Sequence, residues 1–132
     1  MGVQNATLSE GATVSSSGGI SKTFSTNGVP VQNGITLIDA SVTDARTRPT
    51  LVVRTVPARV DSAGNWSNDK REVTLTRPKV LADGKQRFPN IRMILTSHPE
   101  NTQAELDELR LQCAQILSDP DFVSFWRTGS QA

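Results

Sequence analysis

The chain is poor in the residues from which most active sites are assembled. It has one cysteine, one histidine and no tyrosine among 132 residues, so it can build no internal disulfide, no nucleophile triad and no zinc site of the usual thiolate and imidazole ligands. No apolar run approaches the length of a membrane span or a signal-peptide core, and the chain is expected to be soluble and unexported. Aromatics make up 5% and apolar residues 36% of the chain. At a length that fits one domain, this predicts a thin core and makes burial against a partner chain an attractive source of stability. Lys plus Arg number 14 against 13 Asp plus Glu, a formal net charge of +1. Without global basicity, any binding of nucleic acid must come from charge gathered on one face. No glycines follow a strand and open a helix as a phosphate-binding loop requires. Catalysis, metals, cofactors and small-molecule substrates are therefore not expected.

What is present is an ordered series of patterns. Asn5 to Val14 alternates weakly, Ser15 to Gly19 is a Ser/Gly turn, and Ile20, Lys22 and Phe24 alternate again, which predicts an N-terminal hairpin over residues 1–26. Asn27-Gly28 and Asn33-Gly34 are further turn signals, because Asn and Gly accept positive φ cheaply. A sheet is expected over residues 33–97. Ile35 to Ile38 forms a short strand, and Leu51 to Val56 is the most β-prone stretch, ended by Pro57. Ser41 to Pro49, with Arg46 and Arg48, is a polar connection, Asp61 to Asp69 a long polar loop and Ala82 to Lys85 a turn. Lys70 to Arg77 and Asn90 to Thr96 alternate strictly. Val73, Leu75, Ile91, Met93 and Leu95 take one face; Lys70, Glu72, Thr74, Asn90, Arg92 and Ile94 take the other.

Two helices are expected over residues 102–128. Thr102 and Glu105 have the spacing of a capping box, and Glu105, Asp107 and Glu108 suit a helix N-terminus as solvated dipole partners rather than catalytic carboxylates. Leu106, Leu109, Cys113, Ile116 and Leu117 recur at three- and four-residue intervals and form one apolar stripe. On that stripe Cys113 reads as a small buried hydrophobe. Ser118-Asp119-Pro120 ends the first helix and starts the second, where Phe122, Val123, Phe125 and Trp126 make an apolar knob that Gly129 closes.

This order of patterns resembles the coat proteins of single-stranded RNA bacteriophages. The likeness covers essentially the whole chain. It rests on Asn33-Gly34-Ile35 entering the first sheet strand, on Asp69-Lys70-Arg71-Glu72-Val73-Thr74-Leu75 running into Pro78-Lys79-Val80, and on Met93-Ile94-Leu95-Thr96 before the helix from Ala104 to Leu117. The resemblance implies an α+β fold with an N-terminal β-hairpin, a five-stranded antiparallel sheet and two C-terminal helices. Two subunits would join their sheets edge to edge, and the helices of each would pack on the sheet of its partner through Leu106, Leu109, Cys113, Ile116, Leu117, Phe122 and Trp126. Dimers would build an icosahedral shell around single-stranded viral RNA, assembled in the cytoplasm of a bacterial host and found in the virion. Positions Ile35, Lys70, Thr74, Asn90 and Arg92 would contribute to binding an RNA stem-loop that overlaps the replicase start and so represses translation. Arg54 is a further candidate, provided its register turns it to the same face.

The sequence departs from the family in three places. Glu72 puts a carboxylate on the face meant for phosphates, Asn90 stands where some relatives stack a base on an aromatic ring, and the segment from Lys79 to Phe88 is shorter. With Cys113 as the only thiol, cross-linking between loops does not occur. The leading expectation is a structural capsid protein that binds RNA without catalysis. Two alternatives remain open: a small dimeric RNA-binding regulator that forms no shell, and an adhesin-like β module that binds no nucleic acid.

Overall fold

The computed structural model describes residues 3–12 and 18–132. The chain divides into two compact units. One comprises residues 19–99, and the other the N-terminal segment together with residues 100–132.

The first unit is an antiparallel sheet with strands β1 (Phe24–Val31), β2 (Gly34–Asp39), β3 (Thr50–Val56), β4 (Asp69–Thr76) and β7 (Asn90–Ser97), in the spatial order β1-β2-β3-β4-β7. A two-stranded ribbon, β5 (Lys79–Val80) and β6 (Gln86–Arg87), prolongs the β4–β7 hairpin. The turn between β1 and β2 is made by Gln32 and Asn33. Asn33 takes φ 60°, the left-handed conformation that Asn tolerates better than other non-glycine residues. At Gly34 the β2 backbone approaches β3 so closely that a methyl group would overlap the Val53 carbonyl oxygen and press on Arg54.

Asn27-Gly28 forms no turn. It lies inside β1, where the pairing with β2 slips between Thr26 and Pro30. Gly28 has φ 76°, and the side chains of Thr26 and Asn27 accept from the N–H groups of Gly28 and Val29 at 3.2 and 2.9 Å. This is a β-bulge, which inserts unpaired residues into one strand. The β1 edge is thus broken by a bulge and by Pro30, which has no N–H to offer. The opposite edge, β7, runs eight residues without bulge or proline.

Among the described residues the expected N-terminal hairpin over residues 1–26 is not formed. Residues 13–17 lie outside the described residues. Among those described, residues 3–23 contribute no strand: Val3–Asn5 is a single 3-10 turn, and Phe24 already begins the first strand of the sheet. The sheet therefore starts at residue 24, not 33. The segment 7–11 bonds along the helical unit instead. Its Thr7, Ser9 and Gly11 N–H groups donate to Asp121, Gln115 and Glu108 at 3.3, 2.7 and 3.0 Å, and Gln115 donates back to the Ser9 carbonyl at 2.8 Å. Weak alternation is a poor guide here because this segment satisfies its backbone with side chains and not with a second strand.

In that second unit, α1 (Gln103–Ser118) begins where expected, with the Thr102 hydroxyl accepting from the Glu105 N–H at 3.2 Å. Pro120 opens a 3-10 turn that leads into α2 (Val123–Thr128), and Gly129 caps α2 at φ 76° with its N–H on the Phe125 carbonyl at 2.8 Å. Phe125 and Trp126 meet edge to face at 5.1 Å, and the indole N–H donates to the Ile116 carbonyl at 2.9 Å. Glu108 and Gln115, which hold the N-terminal segment, lie on the side of α1 away from the stripe of Leu106, Leu109, Cys113, Ile116 and Leu117. That stripe is left open: Leu109 is 51% exposed and Cys113 is exposed. The expectation of a buried Cys113 fails within one chain because its own N-terminal segment covers the other side of the helix.

Among the described residues no apolar side chain is buried; the buried residues are polar, Asp39, Ser97 and Asp121. Asp39 accepts from the N–H of Ser41 at 3.0 Å and from its hydroxyl, Ser97 donates to Asp69, and Asp121 accepts from Thr7. The few well-covered positions are therefore hydrogen-bonded joints rather than an oily core.

Candidate nucleic-acid interface

Cross-strand partners in an antiparallel ladder lie on the same face, so the register assigns every strand residue to a side. One side carries the rows Ile35–Val53–Val73–Met93 and Leu37–Leu51–Leu75–Ile91. The other carries Thr36–Val52–Thr74–Arg92, Gly34–Arg54–Glu72–Ile94 and Ile38–Thr50–Thr76–Asn90, with Val56–Lys70–Thr96 at the end of β3.

Five of the six candidate positions thus share a face. Arg54, Lys70, Thr74, Asn90 and Arg92 all lie on the polar side, and Arg54 keeps the register that brings it there. Ile35 does not join them. It pairs with Val53 on the apolar side, because the step from Gly34 to Ile35 reverses the face. A lone short strand gives no neighbouring row from which to fix that parity.

The charges on the polar side are unequally engaged. Arg92 grips Glu72 through two parallel contacts, Nε to Oε1 at 2.8 Å and Nη2 to Oε2 at 3.0 Å. The Thr74 hydroxyl donates to the same carboxylate at 3.5 Å. Such a forked pair fixes the guanidinium in position while cancelling its net charge. Arg54, whose register partner is Glu72, and Lys70, beside Val56 and Thr96, are both exposed and form no ion pair among the described residues. The Asn90 amide donates to the Phe88 carbonyl at 2.9 Å, which leaves its carbonyl oxygen as an acceptor.

This side also holds Val52, Val56 and Ile94, the last two 43% and 52% exposed. Val52 and Val56 are not among the sequence candidates, although the unbroken apolar run from Leu51 to Val53 is the pattern of a strand with apolar residues on both faces. Cations set among aliphatic side chains can hold phosphates, and the exposed guanidinium plane of Arg54 is the kind of surface on which an unstacked base can lie. No group of three or more His, Cys, Asp or Glu side chains able to hold a metal occurs among the described residues.

The sequence matches no protein-family model and no curated protein. Its fold has clear relatives among solved structures. The chain is similar to the subunit of a virus-like particle of bacteriophage GQ-907, with a TM-score of 0.92 and 35% identity over 98% of this chain and 99% of that one. A virus-like particle of bacteriophage AVE019 aligns at TM-score 0.67 and 17% identity over 97% and 98% of the two chains. One of bacteriophage ESE058 aligns at TM-score 0.65 and 10% identity over 84% and 86%. These last two share the fold alone.

Proposed function

The chain belongs to the coat proteins of RNA bacteriophages, and we propose that it works as a dimer whose apolar sheet face is roofed by its partner's helices and whose polar face binds the packaged RNA. It is a structural, non-enzymatic capsid protein of the virion.

The proposed dimer joins two sheets along β7, the edge with no bulge and no proline to obstruct a further ladder. Leu106, Leu109, Cys113, Ile116 and Leu117, with Phe122 and Trp126 of the knob, then lie across the partner's Val73, Leu75, Ile91 and Met93. The absence of any buried apolar side chain among the described residues supports this reading, since each half needs a cover.

The RNA reading is carried by a single observation. The register gathers Arg54, Lys70, Thr74, Asn90 and Arg92 opposite the apolar face. Arg54 and Lys70 supply the uncompensated charge for phosphates, and Thr74 and Asn90 supply hydrogen bonds. A stem-loop held on this face would give the repression of the replicase that the resemblance implies, with assembly in the bacterial cytoplasm.

The test is direct. Expressed alone, the chain is expected to form closed particles containing RNA in electron micrographs. Arg54→Gln combined with Lys70→Gln should lower the RNA content and flatten the salt dependence of binding, by about 0.7 in the log–log slope for each phosphate that the protein no longer neutralises. Glu72→Gln should act in the opposite direction by freeing Arg92. Particles whose RNA content is unchanged in both variants would refute the RNA reading, and dimers that never close would favour the regulator without a shell.

A further inference from the structure

The net charge of +1 conceals a strong segregation. The sheet unit, residues 19–99, has twelve Lys and Arg against six Asp and Glu, whereas the unit of residues 1–18 and 100–132 has two against seven. The positive charge is concentrated on the ribbon that prolongs β4 and β7. The register of that hairpin runs unbroken from Thr76 opposite Asn90, through the Arg77 N–H on the Pro89 carbonyl, to Lys79 opposite Arg87 and the Leu81 N–H on the Lys85 carbonyl. Alternation therefore puts Arg77, Lys79, Lys85 and Arg87 on one side of the ribbon, the side that continues the row of Leu75 and Ile91. All four are exposed and none forms an ion pair among the described residues.

Two like charges directly opposite in a ladder destabilise it, and Lys79 faces Arg87 with no acid beside them in the ribbon strands. The acid of the turn, Asp83, is turned to its own backbone, accepting from the Lys85 N–H at 2.9 Å. Arg77 lies in the field of Asp39, a carboxylate that the Ser41 hydroxyl above all holds below its usual range.

The acidic counterpart is at the start of α1, where Glu100, Glu105, Asp107 and Glu108 fall within nine residues and the single cation nearby, Arg110, pairs with Asp107 at 2.9 Å, so the stretch keeps a net negative charge. Symmetry brings the two together. When two β7 strands pair antiparallel about a two-fold axis and overlap fully, Ser97 of one copy stands beside Asn90 of the other. The chain leaving Ser97 reaches the first residue of α1, Gln103, within about 20 Å at its longest extension. The ribbon of the other copy springs from Asn90 and Thr76, so it begins beside the strand end from which, within that reach, the acidic helix start of the first copy follows.

We propose that the cationic ribbon face of Arg77, Lys79, Lys85 and Arg87 is a docking surface for the acidic start of α1 in a second copy, and that this contact orients the two copies as they associate. The inference rests on the β7 pairing proposed above. Charges at the rim of an interface act chiefly on association rate and its salt dependence, and they penalise wrong orientations.

Charge reversal with rescue tests it in the full-length chain. Lys79→Glu with Arg87→Glu is expected to slow dimer formation about tenfold at low salt, an effect that fades as ionic strength rises and the screening length shrinks. Glu100→Lys with Asp107→Lys should slow it similarly, and the four changes together should restore the rate. Circular dichroism on each variant separates a folding defect from a docking defect. Arg87→Lys, which keeps the charge, should leave the rate unchanged. If the wild-type chain dimerises and the quadruple variant shows no rescue, the docking surface is refuted while the β7 pairing survives. If the wild-type chain stays monomeric at high concentration, the pairing itself fails. If the ribbon variant assembles at the normal rate but loses RNA, the cations serve nucleic acid and the proposal is overturned.

Discussion

The sheet unit and the helical unit are held together in opposite ways. In the sheet, residues far apart in sequence are tied by five registered strands. In the helical unit the backbone bonds are local to each helix, and caps and side-chain contacts do the rest: Thr102 at the head of α1, Gly129 at the end of α2, and Glu108 and Gln115 gripping the segment before the sheet. Both nevertheless end in the same condition, with an apolar surface that lacks cover and a charge opposite in sign to the other's. Two incomplete surfaces of matching character in one chain are what the proposed dimer would complete.

Three kinds of substitution test that contrast. The largest effect should come from placing a charge on either apolar surface. Leu75→Asp in the sheet and Leu109→Asp in α1 should each weaken dimerisation by about 3 kcal/mol or more, the scale of an unpaired buried charge, and so by more than about 100-fold in affinity. Sedimentation at graded concentrations reads this out. If only one of the two matters, the surfaces do not meet each other.

A smaller and one-sided effect is expected from Gly34→Ala. The added methyl meets the Val53 carbonyl and Arg54, backbone that cannot swing away, and the cost should be about 1–3 kcal/mol, as for other overpacked sites. Amide exchange should quicken across β2 and β3 while α1 keeps its protection.

The mildest is Thr102→Ala, which removes the cap that accepts from Glu105 and should cost about 1 kcal/mol, with faster exchange confined to the first turn of α1. Acid should act on the same turn. The Asn101 side chain, and then that of Thr102, hold the Glu105 carboxyl below its usual range. Its contribution is therefore complete above the ordinary glutamate value of about 4.3 and is lost as pH falls through the lower folded value.

Much of this is legible in the sequence, for identifiable reasons. Strict alternation in Lys70 to Arg77 and Asn90 to Thr96 settles which residues share a side, because a period of two leaves only one assignment once one face is apolar. Thr102 and Glu105 announce α1 through local chemistry. The failures occur where the deciding partner is distant. Asn27-Gly28 has the composition of a turn, and only its pairing with β2 makes it a bulge. The segment 7–11 has the pattern of a weak strand, and nothing nearby reveals that Glu108 and Gln115 take its N–H groups. Likeness to other proteins places Ile35 with the cations, whereas its own ladder sets it beside Val53.

The unequal borders of the sheet have one more consequence. The β1 border, interrupted by a bulge and a proline, is a poor template for a new strand, and the β7 border is a good one. Each molecule thus has a valence of one for sheet growth. In the proposed pairing, two molecules joined through their good borders would leave only poor ones outside, so lengthening would stop after a single event and the material would be steered away from fibres toward a countable unit from which a closed container can be tiled.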